Sequence, residues 1–233
     1  MENKTAIDKI VRDRYFPPIF MDNGLRRLFF PTMKLVSKYV LAGQVVADLG
    51  SGPGYFTLPI AKVVCGASGS RNEGKVYAVD FDEKSIEKLK KKAVKCGCAG
   101  IIEARVGSAS NVDFIPSASV DFVFANGLLC CMTDHLGAVR EINRILRPDG
   151  TAYLSISKNL RKSDPRTVVK EEWQRLLSKN FKVLKEGEGF FNRWALVSTA
   201  ENDIRESMPV GRAEEERVHG EHKRNPLGCC APP

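Results

Sequence analysis

An apolar run, Val45-Val46-Ala47-Asp48-Leu49, passes directly into Gly50-Ser51-Gly52-Pro53-Gly54 and then into Tyr55-Phe56-Thr57 and the helix-like stretch through Val64. The run reads as a buried strand. Glycine at alternate positions lets the main chain turn within a few residues and approach a ligand without Cβ interference. A strand that enters a helix through so short a turn belongs to a parallel sheet, and the carboxyl end of such a strand is where α/β sheets bind their ligands.

The remaining chain keeps the same alternation. Strand-like runs lie at 76–81, 101–107, 119–126, 151–157, 181–189 and 193–200. Helical patterns cover 31–41, closed by Gly43, then 82–97, and a segment from Leu136 with Val139, Ile142, Ile145 and Leu146 on one face. That segment should stop in a turn at Arg147-Pro148-Asp149-Gly150, and a last helix holds Trp173 to Asn180. The expected fold is therefore α/β, with helices on both faces of a mostly parallel sheet. No helix separates the last two runs, which should close as an antiparallel hairpin at the sheet edge. Residues 31–200 form the expected domain. Residues 1–30, with Tyr15, Phe16 and Phe20 between Pro-containing breaks, are expected to cap its pocket. Residues 201–233 have no periodicity and read as a disordered tail ending near Cys229 and Cys230.

Composition excludes several classes. A chain of 233 residues with 43% hydrophobic residues can bury a full core, so overall disorder is ruled out. No apolar run is long enough for a membrane helix, and the first residues lack a secretory leader pattern, so a cytoplasmic location is expected. Seven cysteines, an odd number, suggest reduced thiols, although six fall in close pairs. A repeated CxxC zinc spacing is missing, and no metal site is expected. The net charge of +8, with lysines concentrated between Lys84 and Lys95, keeps an RNA or other anionic partner open.

The glycine turn does not fit the two common phosphate-binding patterns. Tyr55 stands where the third glycine of GxGxxG belongs, and GxxxxGK[ST] is absent. Asp48, ahead of the glycines, would repel a pyrophosphate and suits an ammonium or hydroxyl-bearing ligand. Asp80, at the end of the second strand, can accept hydrogen bonds from both hydroxyls of a ribose. Its distance from Gly54 exceeds the usual spacing, which the polar stretch 66–74 explains as a loop insertion.

Taken in order, VVADLGSGPGYFT, VYAVDFDEKSIEKL, SVDFVFAN and LGAVREINRILRPDGTAYLSIS resemble the class I S-adenosylmethionine-dependent methyltransferases, over about residues 40–200. The likeness is to the methyltransferase type 11 group, which includes quinone-biosynthesis and arsenite methyltransferases. The resemblance implies a Rossmann-like sheet of seven strands and S-adenosyl-L-methionine as cofactor. By position, Asp48, Gly50, Ser51, Gly52, Gly54 and Tyr55 would surround the methionine part. Asp80 would take the ribose hydroxyls and Phe81 would pack on the adenine. Ser108 and Ala109 fall near the adenine amino group, with serine in place of the family's common acid. Asn126 would stand at the junction of cofactor and acceptor.

Four readings follow. A small-molecule acceptor needs only alignment, plus a base where a proton must leave. His135 is the candidate base, and its alternative is a polar residue at a helix start. Cys130 and Cys131, with the tail cysteines, could instead hold a thiophilic metalloid such as arsenite or take part in thiol chemistry. Against this, Gly127 follows Asn126 where arsenite methyltransferases carry a cysteine, and buried Cys also serves as a plain hydrophobe. RNA or protein methylation is the third reading, and a non-catalytic cofactor- or metal-binding protein the fourth. The [DN]PP[YF] pattern of exocyclic base methylation is not found at Asn126-Gly127-Leu128-Leu129.

Overall fold

The structure is a computed structural model, and it describes residues 32–66, 74–158 and 164–200. The expected N-terminal cap, the 67–73 part of the inserted loop and the tail with Cys229 and Cys230 lie outside the described residues.

Among the described residues fourteen elements follow in chain order, two of them short 3-10 turns. Helix α1 (Thr32–Tyr39) precedes β1 (Val45–Leu49), α2 (Thr57–Cys65), β2 (Lys75–Asp80) and α3 (Glu83–Lys95). A 3-10 turn (Ala99–Ile101) leads into β3 (Ile102–Val106), and β4 (Val120–Asn126) is followed by a second turn (Leu129–Cys131). Then come α4 (His135–Ile145), β5 (Leu146–Ser157), α5 (Lys170–Asn180), β6 (Phe181–Glu188) and β7 (Asn192–Thr199). The strands make one seven-stranded sheet in the order β3-β2-β1-β4-β5-β7-β6. The first five are parallel, and β7 runs antiparallel to both β5 and β6. This is the α/β architecture expected from the alternation, including the closing hairpin.

Central strands β1, β2 and β4 are buried along nearly their whole length, as parallel strands covered on both faces must be. One face carries Val46, Val76, Phe122, Phe124 and Tyr153, which pack with Val36 and Val40 beside α1 and with Ile60 and Val64 of α2. Aromatic rings run across this face from Tyr39 over Tyr153 to Trp194, with centroids 5.8 and 6.1 Å apart. The other face carries Leu49, Val79, Val123, Leu154 and Val197 against Val139 and Ile142 of α4 and Trp173, Leu176 and Leu177 of α5.

The Arg147–Gly150 segment departs from the expected stop-and-turn. Helix α4 already ends at Ile145, and Leu146 pairs with Val120 as the first residue of β5. Pairing then resumes only at Phe122 with Thr151, so Arg147-Pro148-Asp149-Gly150 bulges out opposite Asp121. A bulge of this kind lets a strand absorb residues that cannot join the ladder, here including a proline. Asp121 fixes it by pairing with Arg147 and accepting the Val45 N–H at 2.7 Å.

The cysteine expectation also needs correction at one place. Cys96 and Cys98 are joined by a disulfide across the turn that ends α3. Counting cysteines could not foresee this, because the pairing follows from a local turn rather than from the total. Among the described residues no helix is long and apolar enough to cross a membrane.

Candidate active site

The parallel strands β1, β2, β4 and β5 all end at one edge of the sheet, which brings Asp48, Asp80, Asn126 and Ser157 to a common rim. At that rim the chain leaves β1 through a tight loop. Gly50, Gly52 and Gly54 have φ of +78°, +51° and +90°, the left-handed region that other residues enter only with strain. Gly54 also lacks room for a side chain, since a Cβ there would lie 2.6 Å from Leu89 Cδ1 of α3. The alternating glycines are thus a geometric requirement of this path.

The loop is tied to β2 by its main chain. Gly50 and Ser51 N–H both donate to the Val79 carbonyl, at 2.8 and 3.0 Å. Asp80 then clamps it: Oδ2 accepts the Gly52 N–H at 2.8 Å and Oδ1 accepts the Asp82 N–H at 2.9 Å. From α3, Lys92 Nζ donates to the Pro53 carbonyl at 3.0 Å. Burial pushes the Asp80 carboxyl above the ordinary aspartate range, and the two N–H bonds act against that rise.

Asp48 sits beneath the loop, 2% exposed, and accepts hydrogen bonds from Thr57, from its hydroxyl Oγ1 at 2.6 Å and from its main-chain N–H. Burial pushes its carboxyl up to about 7, offset in part by Thr57 and reinforced by the charge of Asp80. Neighbouring Ser51 is also buried, and its Oγ has no hydrogen-bond partner among the described residues. A buried hydroxyl without a partner is costly unless a ligand satisfies it. Tyr55 is buried with its ring edge-on to Phe56 at 5.2 Å.

The remaining positions differ in what surrounds them. Phe81, directly after β2, is 42% exposed. Ala109 is buried in the core with Val112 and Ile115, while Ser108 Oγ lies 2.9 Å from Ser110 Oγ. Ser155 Oγ donates to Asn126 Oδ1 at 2.8 Å and itself accepts the Gly127 N–H at 3.0 Å. Leu128 reaches back to Gly50, so the loops after β1 and β4 touch. Cys130 is buried, donating to the Gly127 carbonyl and accepting the Ser157 N–H, both at 3.3 Å. Cys131 is half-buried against the same core. His135 is buried, with Nδ1 2.9 Å from Glu172 Oε1 and Nε2 donating to the Met132 carbonyl at 2.8 Å. Both ring nitrogens therefore tie α4 to α5 and to the preceding turn.

Thr57, Lys92 and Ser155 have tasks here that the linear pattern did not show. Ser155 becomes visible only from the register that places it opposite Asn126. A separate cavity of about 330 Å³ opens between α5 and the β6–β7 hairpin, lined by Lys170, Trp173, Gln174, Glu186, Glu188 and Arg193. None of the rim residues borders it.

The match of a family model described as a methyltransferase domain spans residues 47–154, from β1 into β5, and so includes Asp48, Asp80 and Asn126 of the rim. That stretch matches a methyltransferase domain, and the chain has the fold of a SAM-dependent methyltransferase. The structure of a SAM-dependent methyltransferase from Aquifex aeolicus superposes with a TM-score of 0.67 at 20% identity, covering 80% of this chain and 100% of that one. The [4+2]-cyclase SpnF gives a TM-score of 0.57 at 19% identity, covering 67% of this chain and 58% of that one. Among curated proteins, the methyltransferase gedG of Aspergillus terreus is 27% identical over 141 residues. That stretch is 60% of this chain and 39% of gedG, so this chain matches about two fifths of the relative's length.

At this rim the left-handed glycine loop lies over Ser51 Oγ, which lacks a partner among the described residues, and over Asp48, a buried carboxyl to which no described Lys or Arg is bonded.

Proposed function

We propose that this chain binds S-adenosyl-L-methionine at the rim and transfers its methyl group to a small-molecule acceptor. One observation carries the reading: the left-handed glycine loop is bonded directly to the acid at the end of β2, through Gly52 and Asp80. Each Asp80 oxygen accepts one main-chain N–H and has a further lone pair for a ribose hydroxyl. Asp48 supplies the counter-charge for an α-ammonium group, and Ser51 a hydroxyl for the adjoining carboxylate. Phe81 offers its exposed face to the base, beside Ser108 and Ala109.

S-adenosylmethionine, when bound, supplies an activated methyl group on a sulfonium. The protein's part is then to hold the acceptor in line and exclude water. Asn126, braced by Ser155, is the polar group at the end of β4 next to that junction. His135 contributes stiffness to the wall through Met132 and Glu172. The thiols of Cys130 and Cys131 lie in the same wall, and Cys130 is held by Gly127 and Ser157. That packing supports the small-molecule reading over a metalloid one.

The fold alone does not choose the reaction, since a cyclase shares it. The test uses cofactor labelled in its methyl group, incubated with the protein and fractionated cell extract, with and without arsenite. Label in a small product, unaffected by arsenite and by a Cys130→Ser/Cys131→Ser variant, supports the proposal. Arsenite-dependent label that the variant abolishes establishes the metalloid reading, and label in RNA or protein a macromolecular acceptor. Saturable cofactor binding without transfer points to another use of the fold.

A further inference from the structure

Helix α3 is the element that braces the glycine loop, through Lys92 on Pro53 and Leu89 against Gly54. It ends one turn later on Cys96-Gly97-Cys98. Gly97 has φ +72° and donates to the Val94 carbonyl at 3.1 Å, while Cys98 N–H reaches the Ala93 carbonyl at 3.0 Å. These crossed bonds are the glycine-dependent motif that closes many helices. Its consequence here is chemical. The turn sets the Cα atoms of Cys96 and Cys98 5.6 Å apart, within the range a disulfide spans, and their sulfurs are bonded. Cys96 is exposed, whereas Cys98 is 8% exposed and packs on Ala93. A Cβ at Gly97 would touch nothing within 4 Å, so the turn is open to a reagent. Lys92 and Lys95 put positive charge in the same turn, which favours an anionic one.

We propose that Cys96-Gly97-Cys98 is a reversible thiol–disulfide site, oxidised by exchange with a small anionic disulfide such as oxidised glutathione, and that its oxidation tightens the glycine loop through α3. In the reduced protein the Cys96 thiolate attacks the small disulfide, forming a mixed disulfide and releasing one small thiol. The Cys98 thiolate then attacks the Cys96 sulfur, closes the intramolecular bond and releases the second. Two protein thiols are oxidised and one small disulfide is reduced to two thiols, with the thiol protons passing to the products. Exposed Cys96 suits the first step and sheltered Cys98 the second. Closure joins the last helical residue's neighbour to the residue beyond Gly97, so the final turn that carries Lys92 can no longer fray.

The test takes the full chain, reduced and then equilibrated in mixtures of reduced and oxidised glutathione. Non-reducing peptide mapping reads the Cys96–Cys98 bond, and amide hydrogen exchange reads residues 50–56 in each state, with no cofactor present. The expected result is a bond that forms with rising oxidised glutathione and reverses with reductant. It is accompanied by about five-fold slower exchange in the loop, the scale of one hydrogen bond such as Lys92 to Pro53. Cys96→Ser, a change at the exposed position, should abolish both responses while the protein remains folded by circular dichroism. The proposal is overturned if the pair stays reduced in excess oxidised glutathione, if a mixed disulfide at Cys96 persists in the wild type, or if loop exchange is equal in both states. The measurement does not depend on methyl transfer, so failure of either reading leaves the other standing.

Discussion

Asp48→Asn isolates the cost of one buried carboxyl. The carboxyl of the folded chain titrates at about 7 against an ordinary value of 3.8. Between those two values the folded state holds a proton that the unfolded state has released. Stability therefore falls as pH rises through this window, and the loss is complete above about pH 7. A shift of roughly three units corresponds to about 4 kcal/mol at most, with a smaller net value once the buried site relaxes. Asparagine keeps the shape and can still accept the Thr57 hydroxyl, but it carries no charge to bury. Urea denaturation of both proteins at intervals from pH 5 to pH 8.5 measures the effect. We expect the variant to be more stable at pH 8 by about 2–4 kcal/mol, with a gap that narrows steadily towards pH 5. Parallel profiles would refute the argument, because they would mean that the folded Asp48 titrates like an ordinary aspartate. The same variant should bind S-adenosylmethionine at least ten-fold more weakly by calorimetry, since the counter-charge is gone.

Other expectations follow from the rim and its supports. Asp80→Ala removes both the ribose acceptors and the clamp on Gly52, and calorimetry should show cofactor affinity lower by about 1–3 kcal/mol. Gly54→Ala adds a side chain at φ +90° against Leu89, and thermal or urea unfolding should report a loss of about 2–3 kcal/mol. Arg144→Met deletes bonds from the guanidinium to the Val112 and Ile115 carbonyls and to Glu141. A loss of about 2–4 kcal/mol is expected, with faster hydrogen exchange over residues 112–117.

Much of this architecture was legible because it is written in local pattern. Strands β1, β2 and β4 are continuous apolar runs, and the glycines of the first loop announce their own backbone. What stayed hidden depends on distant partners. Asp48 and Thr57 are nine residues apart and both buried, yet no spacing rule pairs a strand acid with a helix threonine. Ser155 supports Asn126 only because β5 lies beside β4 in one register. The sequence favours a helix-start role for His135 over a catalytic one, but it does not show Glu172, 37 residues away, against its ring. At Arg147–Gly150 proline and glycine signal a turn and a bulge alike, and only the pairing of Leu146 with Val120 separates them.

The order β5-β7-β6 has a consequence for how the chain is made. Strand β6 is synthesised before β7, yet β7 is its neighbour and its sole link to β5. A nascent chain that has exposed only residues up to Glu188 therefore presents two unsatisfied edges, one on β5 and one on β6, with a strand-wide gap between them. Residues 192–199 close both at once. Until those residues join the sheet, the β5 edge is open to pairing with another chain.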